Sequence, residues 1–86
     1  MFLVELSFDD RPDRLELRPA HREKLSALHA RGIVPLAGPY PDGSGAMLVF
    51  DVADEAEVDR ILADDPYYSA AGVTIVRKQP WDTLPL

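Results

Sequence analysis

Ile33-Val34-Pro35-Leu36-Ala37-Gly38-Pro39-Tyr40-Pro41-Asp42-Gly43-Ser44-Gly45-Ala46-Met47-Leu48-Val49-Phe50-Asp51-Val52 is the stretch that decides the fold. Two apolar runs flank a turn cluster at Pro41 to Gly45, and no helical period separates them, so residues 33–52 read as a β-hairpin. The first run, 33–40, carries Pro35 and Pro39, which lack backbone donors and predict an edge or irregular strand. The second, 46–52, is apolar on both faces until Asp51 and predicts a third strand that needs cover on both sides.

On the N-terminal side of the hairpin, Arg18-Pro19-Ala20-His21-Arg22-Glu23-Lys24-Leu25-Ser26-Ala27-Leu28 reads as a helix. Pro19 fits a first turn, where its missing N–H is an orphan anyway, and Gly32 fits the position just past the end, so the helix is predicted from about Pro19 to Arg31. Counted from His21, Leu17 is at i−4, Leu25 at i+4 and Leu28 at i+7, which puts an ionisable imidazole on the apolar stripe. A place in the first turn would also set it at the positive end of the helix dipole, favouring the neutral ring that accepts a proton. Two readings stand side by side: a core-edge histidine bonded to a backbone carbonyl, and a proton-transfer group. Upstream, Phe2 to Phe8 alternates as a strand, and Asp9 to Asp13 breaks it with charge and proline into a loop.

On the C-terminal side, Asp54 is a candidate N-cap with Glu57 at N3, ahead of Val58, Ile61 and Leu62, for a second helix ending near Ala63 or Asp64. Asp65-Pro66 stops it, and residues 67–72 form a further short turn or helical segment. Val73 to Lys78 is a β-branched fourth strand. The tail from Gln79 to Leu86 has no period and is expected to pack through Trp81 and its leucines.

The order strand, helix, strand, strand, helix, strand is the split βαβ arrangement of ferredoxin-like α+β domains, with a four-stranded antiparallel sheet and two helices on one face. Strands one and three carry Leu3, Met47 and Val49 on the other face, which predicts a homodimer built sheet to sheet. The 86 residues make one domain, 1–86, and so short a chain buries only about 60 to 65 % of its unfolded surface, which also favours self-association. No cysteine is present, so neither disulfides nor thiolate metal sites hold it. A net charge of −6 argues against nucleic acid and anionic membranes as partners. Met1 to Leu6 shows no basic n-region or long apolar run, and a cytoplasmic setting is expected.

Four features collect around a possible site: His21, Gly38-Pro39, Gly43-Ser44-Gly45 and Asp65-Pro66-Tyr67. Ser44 is a candidate to bond a substrate oxygen, against plain turn chemistry; Tyr67 and Tyr68 are candidates to wall a pocket, against half-buried packing. Arg18 and Arg22 flank His21 and are candidates to attract an anionic substrate, against simple solvation. His29 reads as a surface residue favoured by the C-terminal dipole, and its spacing from His21 makes no metal site by itself. Asp65 suits an N-cap for the segment beginning at Pro66.

These pieces, Arg18-Pro19-Ala20-His21, the run from His21 through Gly32 to Ala37-Gly38-Pro39, Asp65-Pro66-Tyr67 and Ala70-Ala71-Gly72-Val73, resemble the YciI-like (YCII-related) family over nearly the whole chain. The family is of the dimeric α+β barrel class. The chain departs from it between Gly38 and Gly45, a shorter loop that bears on the pocket's shape and substrate. The resemblance implies an active site in which a histidine and an aspartate, here His21 and Asp65, face a pocket between helix and sheet. It also implies cofactor-free proton transfer on a small organic molecule, of the kind a dehydrochlorinase or a muconolactone isomerase performs. A carboxylate on one ring nitrogen would fix the tautomer and leave the other as general base or acid. The other function class open to the same fold is a non-catalytic ligand-binding or accessory module.

Overall fold

The computed structural model describes all residues, 1–86. In chain order the elements are β1 (Phe2–Phe8), α1 (Asp13–Ala30), β2 (Leu36–Pro39), β3 (Gly45–Phe50), α2 (Glu55–Asp64), a 3₁₀ turn at Pro66–Ser69, and β4 (Val73–Pro80). The strands form one four-stranded sheet in the order β2-β3-β1-β4, with every neighbouring pair antiparallel. This is the ferredoxin-like α+β arrangement expected from the hairpin.

The proline-bearing run lies at the sheet edge, as its missing donors require, but as a strand it covers only Leu36–Pro39. Residues just before it are claimed by the helix instead: the Ile33 and Val34 N–H groups both donate to the Leu28 carbonyl. In the middle of the sheet Gly45 has no substitute, because a Cβ there would run into the Leu6 carbonyl of the paired strand.

The first helix departs from expectation at its start. It begins at Asp13, with Asp13 and Glu16 in the first turn, and Pro19 sits inside it. A proline there can give no hydrogen bond to the Leu15 carbonyl, a local cost. The residues ahead of it still pay their way in packing, since Leu17 lies against the core and Arg14 covers the Phe8 ring at 4.1 Å. His21 is therefore well inside the helix, and the first-turn dipole no longer bears on it. At the other end Gly32, with φ of 77°, takes the left-handed turn just past Arg31 that favours glycine.

The core lies between the sheet and both helices. Val4 and Leu6 of β1, Leu48 and Phe50 of β3 and Val58 of α2 are buried, and Leu17, Leu25 and Leu28 of α1 pack against them. Asp54 caps α2 by accepting from the Glu57 N–H at 3.0 Å, as its spacing predicted.

On the opposite face Leu3 and Met47 are half-buried, while Val49 is already covered within the monomer. Leu36, whose partner across the ladder is Val49, is 66 % exposed. The same face holds a polar group: the Tyr40 hydroxyl donates to Glu5, and Arg77 lies 3.6 Å from the other Glu5 oxygen. The tail does not pack as expected. Trp81, Leu84 and Leu86 are exposed, and the Trp81 N–H to Met1 carbonyl bond is its tie to the sheet. No helix is long and apolar enough to cross a membrane.

Candidate active site

A cleft of about 710 Å³ opens between α1 and the β2–β3 edge of the sheet. Its floor is Leu6, Phe8, Ala46 and Leu48, its helix wall runs from Arg14 to His29, and its outer rim is the 34–41 segment. The volume is that of a small-molecule site. On the rim side β2 is only four residues long, and the segment between the end of α1 and Leu36 contributes Val34 and Pro35 to the lining.

His21 stands in the helix wall of this cleft with 7 % of its surface exposed. Its Nδ1 is 2.7 Å from Oδ2 of Asp65, which is 6 % exposed. The other Asp65 oxygen, Oδ1, accepts the Tyr67 backbone N–H at 3.0 Å and caps the 3₁₀ turn. The two roles weighed for Asp65 are thus held at once, one per oxygen. The turn it caps then delivers Tyr67, whose ring stacks on the imidazole at 3.9 Å and 6°, and Tyr68, which meets it edge-on at 5.2 Å. The backbone-carbonyl reading of His21 does not describe this structure; its ring partner is the carboxylate.

A buried carboxylate facing Nδ1 favours the tautomer with the proton on that nitrogen, leaving Nε2 free to take or give a proton. The tyrosine pair holds the ring plane, so its orientation is set before any ligand arrives. Burial holds the Tyr68 phenol well above the usual tyrosine value, and the charge on Asp65 adds to the effect. The Tyr68 hydroxyl has no protein partner.

Of the other residues singled out from the sequence, Arg18, Tyr67, Gly38 and Pro39 line the cleft. Ser44 does not: its N–H is turned to Asp42 and its carbonyl accepts from Phe8, so it serves the hairpin turn. His29 is exposed in the last turn of α1, as its position predicted, and its Nδ1 also bonds the Val34 carbonyl at 2.9 Å at the far end of the cleft. Arg14 was missed. It lines the cleft beside Phe8, with its Nη1 3.4 Å from the Tyr67 hydroxyl. The signal was present in the arginines at 14, 18 and 22, one helical turn apart, but only for a helix begun at Asp13. No three His, Asp or Glu side chains converge on a point that would hold a metal ion.

The chain is similar in structure to the 5-chloro-2-hydroxyhydroquinone dehydrochlorinase of Burkholderia phenoliruptrix, solved in complex with 2,5-dihydroxybenzoquinone. The TM-score is 0.61 at 16 % identity, over 95 % of this chain and 94 % of that one. No curated protein matches the sequence. The YCII-related domain model matches residues 1–82, and the chain belongs to that family.

Proposed function

We propose that this protein is a small cytoplasmic enzyme of lyase or isomerase type that moves a proton on a small organic molecule. His21 is the general acid/base and Asp65 the residue that orients it. The observation that carries this reading is the 2.7 Å bond between two buried ionisable groups, with the histidine at the wall of an apolar cleft. In an elimination, Nε2 takes a proton from carbon, the C–H pair becomes the new π bond, and the leaving group departs with its own pair. In an isomerisation the same proton returns to a different carbon. The structurally similar protein is named a dehydrochlorinase, which is chemistry of the first kind. Tyr67 and Arg14 shape the pocket beside the ring, and no step calls for a cofactor.

We also propose that two copies pair through the open sheet face, where Leu3, Met47 and Leu36 would otherwise stay in water.

The functional reading is tested by incubating the protein with a panel of small hydroxylated and halogenated ring compounds in D₂O. Proton NMR follows carbon-bound deuteration and loss of substrate. Turnover is expected with the wild type, and His21→Asn should lower it by about 10²- to 10⁴-fold. Compounds that bind in the cleft with no exchange or turnover in the wild type would favour the non-catalytic binding module.

A further inference from the structure

The basic residues of this chain are not placed as its composition would lead one to expect. Acidic residues outnumber Lys and Arg by 15 to 9, yet no Asp or Glu lines the cleft, whereas Arg14, Arg18 and Arg22 all do. These three stand at i, i+4 and i+8 on α1, so they form one row along its cleft side, roughly 12 Å from first to last. Within the helix, Asp13, Glu16 and Glu23 all miss the positions three or four residues away from any of them. Neighbouring like charges at i, i+4 oppose the helix rather than support it.

None of the three makes a salt bridge, while Arg11, Lys24, Arg77 and Lys78 each have a carboxylate partner. Arg14 is fixed in place by the Phe8 ring and the Tyr67 hydroxyl, and its Nε is buried with no acceptor beside it. The charge is therefore held in place at the edge of an apolar cavity with no carboxylate paired to it. Such a row is matched by an anion brought from outside.

We propose that the cleft takes a small organic carboxylate, its charged head on Arg14 and Arg18 and its apolar body over Leu25, Ala46 and Leu48. Arg22, nearer solvent, draws the anion in. The guanidinium fork fits a carboxylate in two parallel hydrogen bonds, and the floor leaves a ring or short chain no polar partner. His21 lies between Arg18 and Arg22 on the same helix, so a head anchored at Arg18 places the adjoining carbons beside the imidazole. This inference names the substrate class for the proton-transfer site proposed above and rests on that reading for its chemistry, though its binding claim stands alone.

The test is a binding titration of the full-length protein by ¹⁵N–¹H NMR at low ionic strength. The probes are benzoate, 2-hydroxybenzoate and cyclohexanecarboxylate, each paired with its methyl ester. The acids are expected to shift the resonances of the cleft residues and the esters to bind about tenfold or more weakly. Arg18→Gln should cost the acids a similar factor and leave the esters unchanged, and added salt should weaken the acids alone. Because Arg14 also packs on Phe8, Arg14→Lys supplies the second variant, keeping charge but losing the fork, and should weaken the acids less than Arg18→Gln does. Esters that bind as well as acids, acids indifferent to Arg18→Gln, or no acid shifting any cleft resonance at millimolar concentration would overturn the proposal. Binding is read without turnover, so arginine-dependent capture of acids by a protein inert in the deuteration experiment would remove the enzyme reading alone. Turnover of uncharged compounds by an unimpaired Arg18→Gln variant would remove this one alone.

Discussion

At the scale of single residues, the site depends on one carboxylate with two tasks. Asp65 holds the imidazole of His21 with Oδ2 and the start of the 3₁₀ turn with Oδ1, so truncating it strips both a buried ring N–H and a buried backbone N–H of their acceptor. Asp65→Ala is expected to destabilise the fold by about 3–5 kcal/mol, measured by urea unfolding at neutral pH. Tyr68 makes a prediction of opposite character. Its buried phenol favours the neutral form, so above the ordinary tyrosine value near 10 the unfolded chain loses a proton that the folded one keeps. Stability must then fall as pH rises past about 10, by up to about 1.4 kcal/mol per unit for this one group. Tyr68→Phe should show a shallower loss between pH 9 and 11 than the wild type, and equal slopes would contradict the assignment. The Asp65 cap was legible in the sequence because Asp-Pro carries a local grammar. Its second oxygen was not, since the pairing joins residues far apart in the chain and only the family resemblance pointed to it. Ser44 misled because a turn serine carries no sign of which way it faces.

At the scale of elements, α2 was readable almost to the residue and the hairpin as a hairpin, for their signals are local: Asp54 caps at fixed spacing and two prolines force an edge strand, though that strand starts at Leu36 and not at Ile33. The start of α1 was not. Pro19 reads as a first-turn residue, and what carries the helix back to Asp13 is contact of Arg14 and Leu17 with the body of the protein, which no local rule reports. That misplaced start also hid the arginine row. The internal proline has a measurable consequence: Pro19→Ala restores a donor for the Leu15 carbonyl and should raise stability by about 1–3 kcal/mol in chemical denaturation. No gain, or a loss, would mean that the helix is adapted to its proline. In the sheet, Phe50 is fully buried between β3 and the helices, so Phe50→Ala should cost about 3–5 kcal/mol.

At the scale of the whole molecule, two helices cover one face of the sheet and leave Leu3, Met47 and Leu36 on the other, around the Glu5, Tyr40 and Arg77 group. A particle of twice 9.5 kDa is expected by light scattering at micromolar concentration, and Met47→Asp should shift it toward the monomer, since an unpaired charge in a dry interface costs several kcal/mol. The proposed second layer rests on strands apolar on both faces, a pattern visible in the sequence, although Val49 is already buried within the monomer. A pocket between helix and sheet was implied by the family resemblance alone; no local signal marks its place, beside a short edge strand whose preceding residues are tied to the end of α1. The proton-transfer reading of that cleft turns on a His21 imidazole protonated at Nδ1 and bare at Nε2, the tautomer that the Asp65 carboxylate favours. Long-range ¹H–¹⁵N NMR of the neutral imidazole reads this directly. The wild type should show the proton on Nδ1 and a bare Nε2, and Asp65→Asn, whose amide can donate toward the ring, should move the proton to Nε2. A wild-type ring protonated at Nε2, or a tautomer indifferent to Asp65→Asn, would contradict the His21–Asp65 pair as the working centre of this protein.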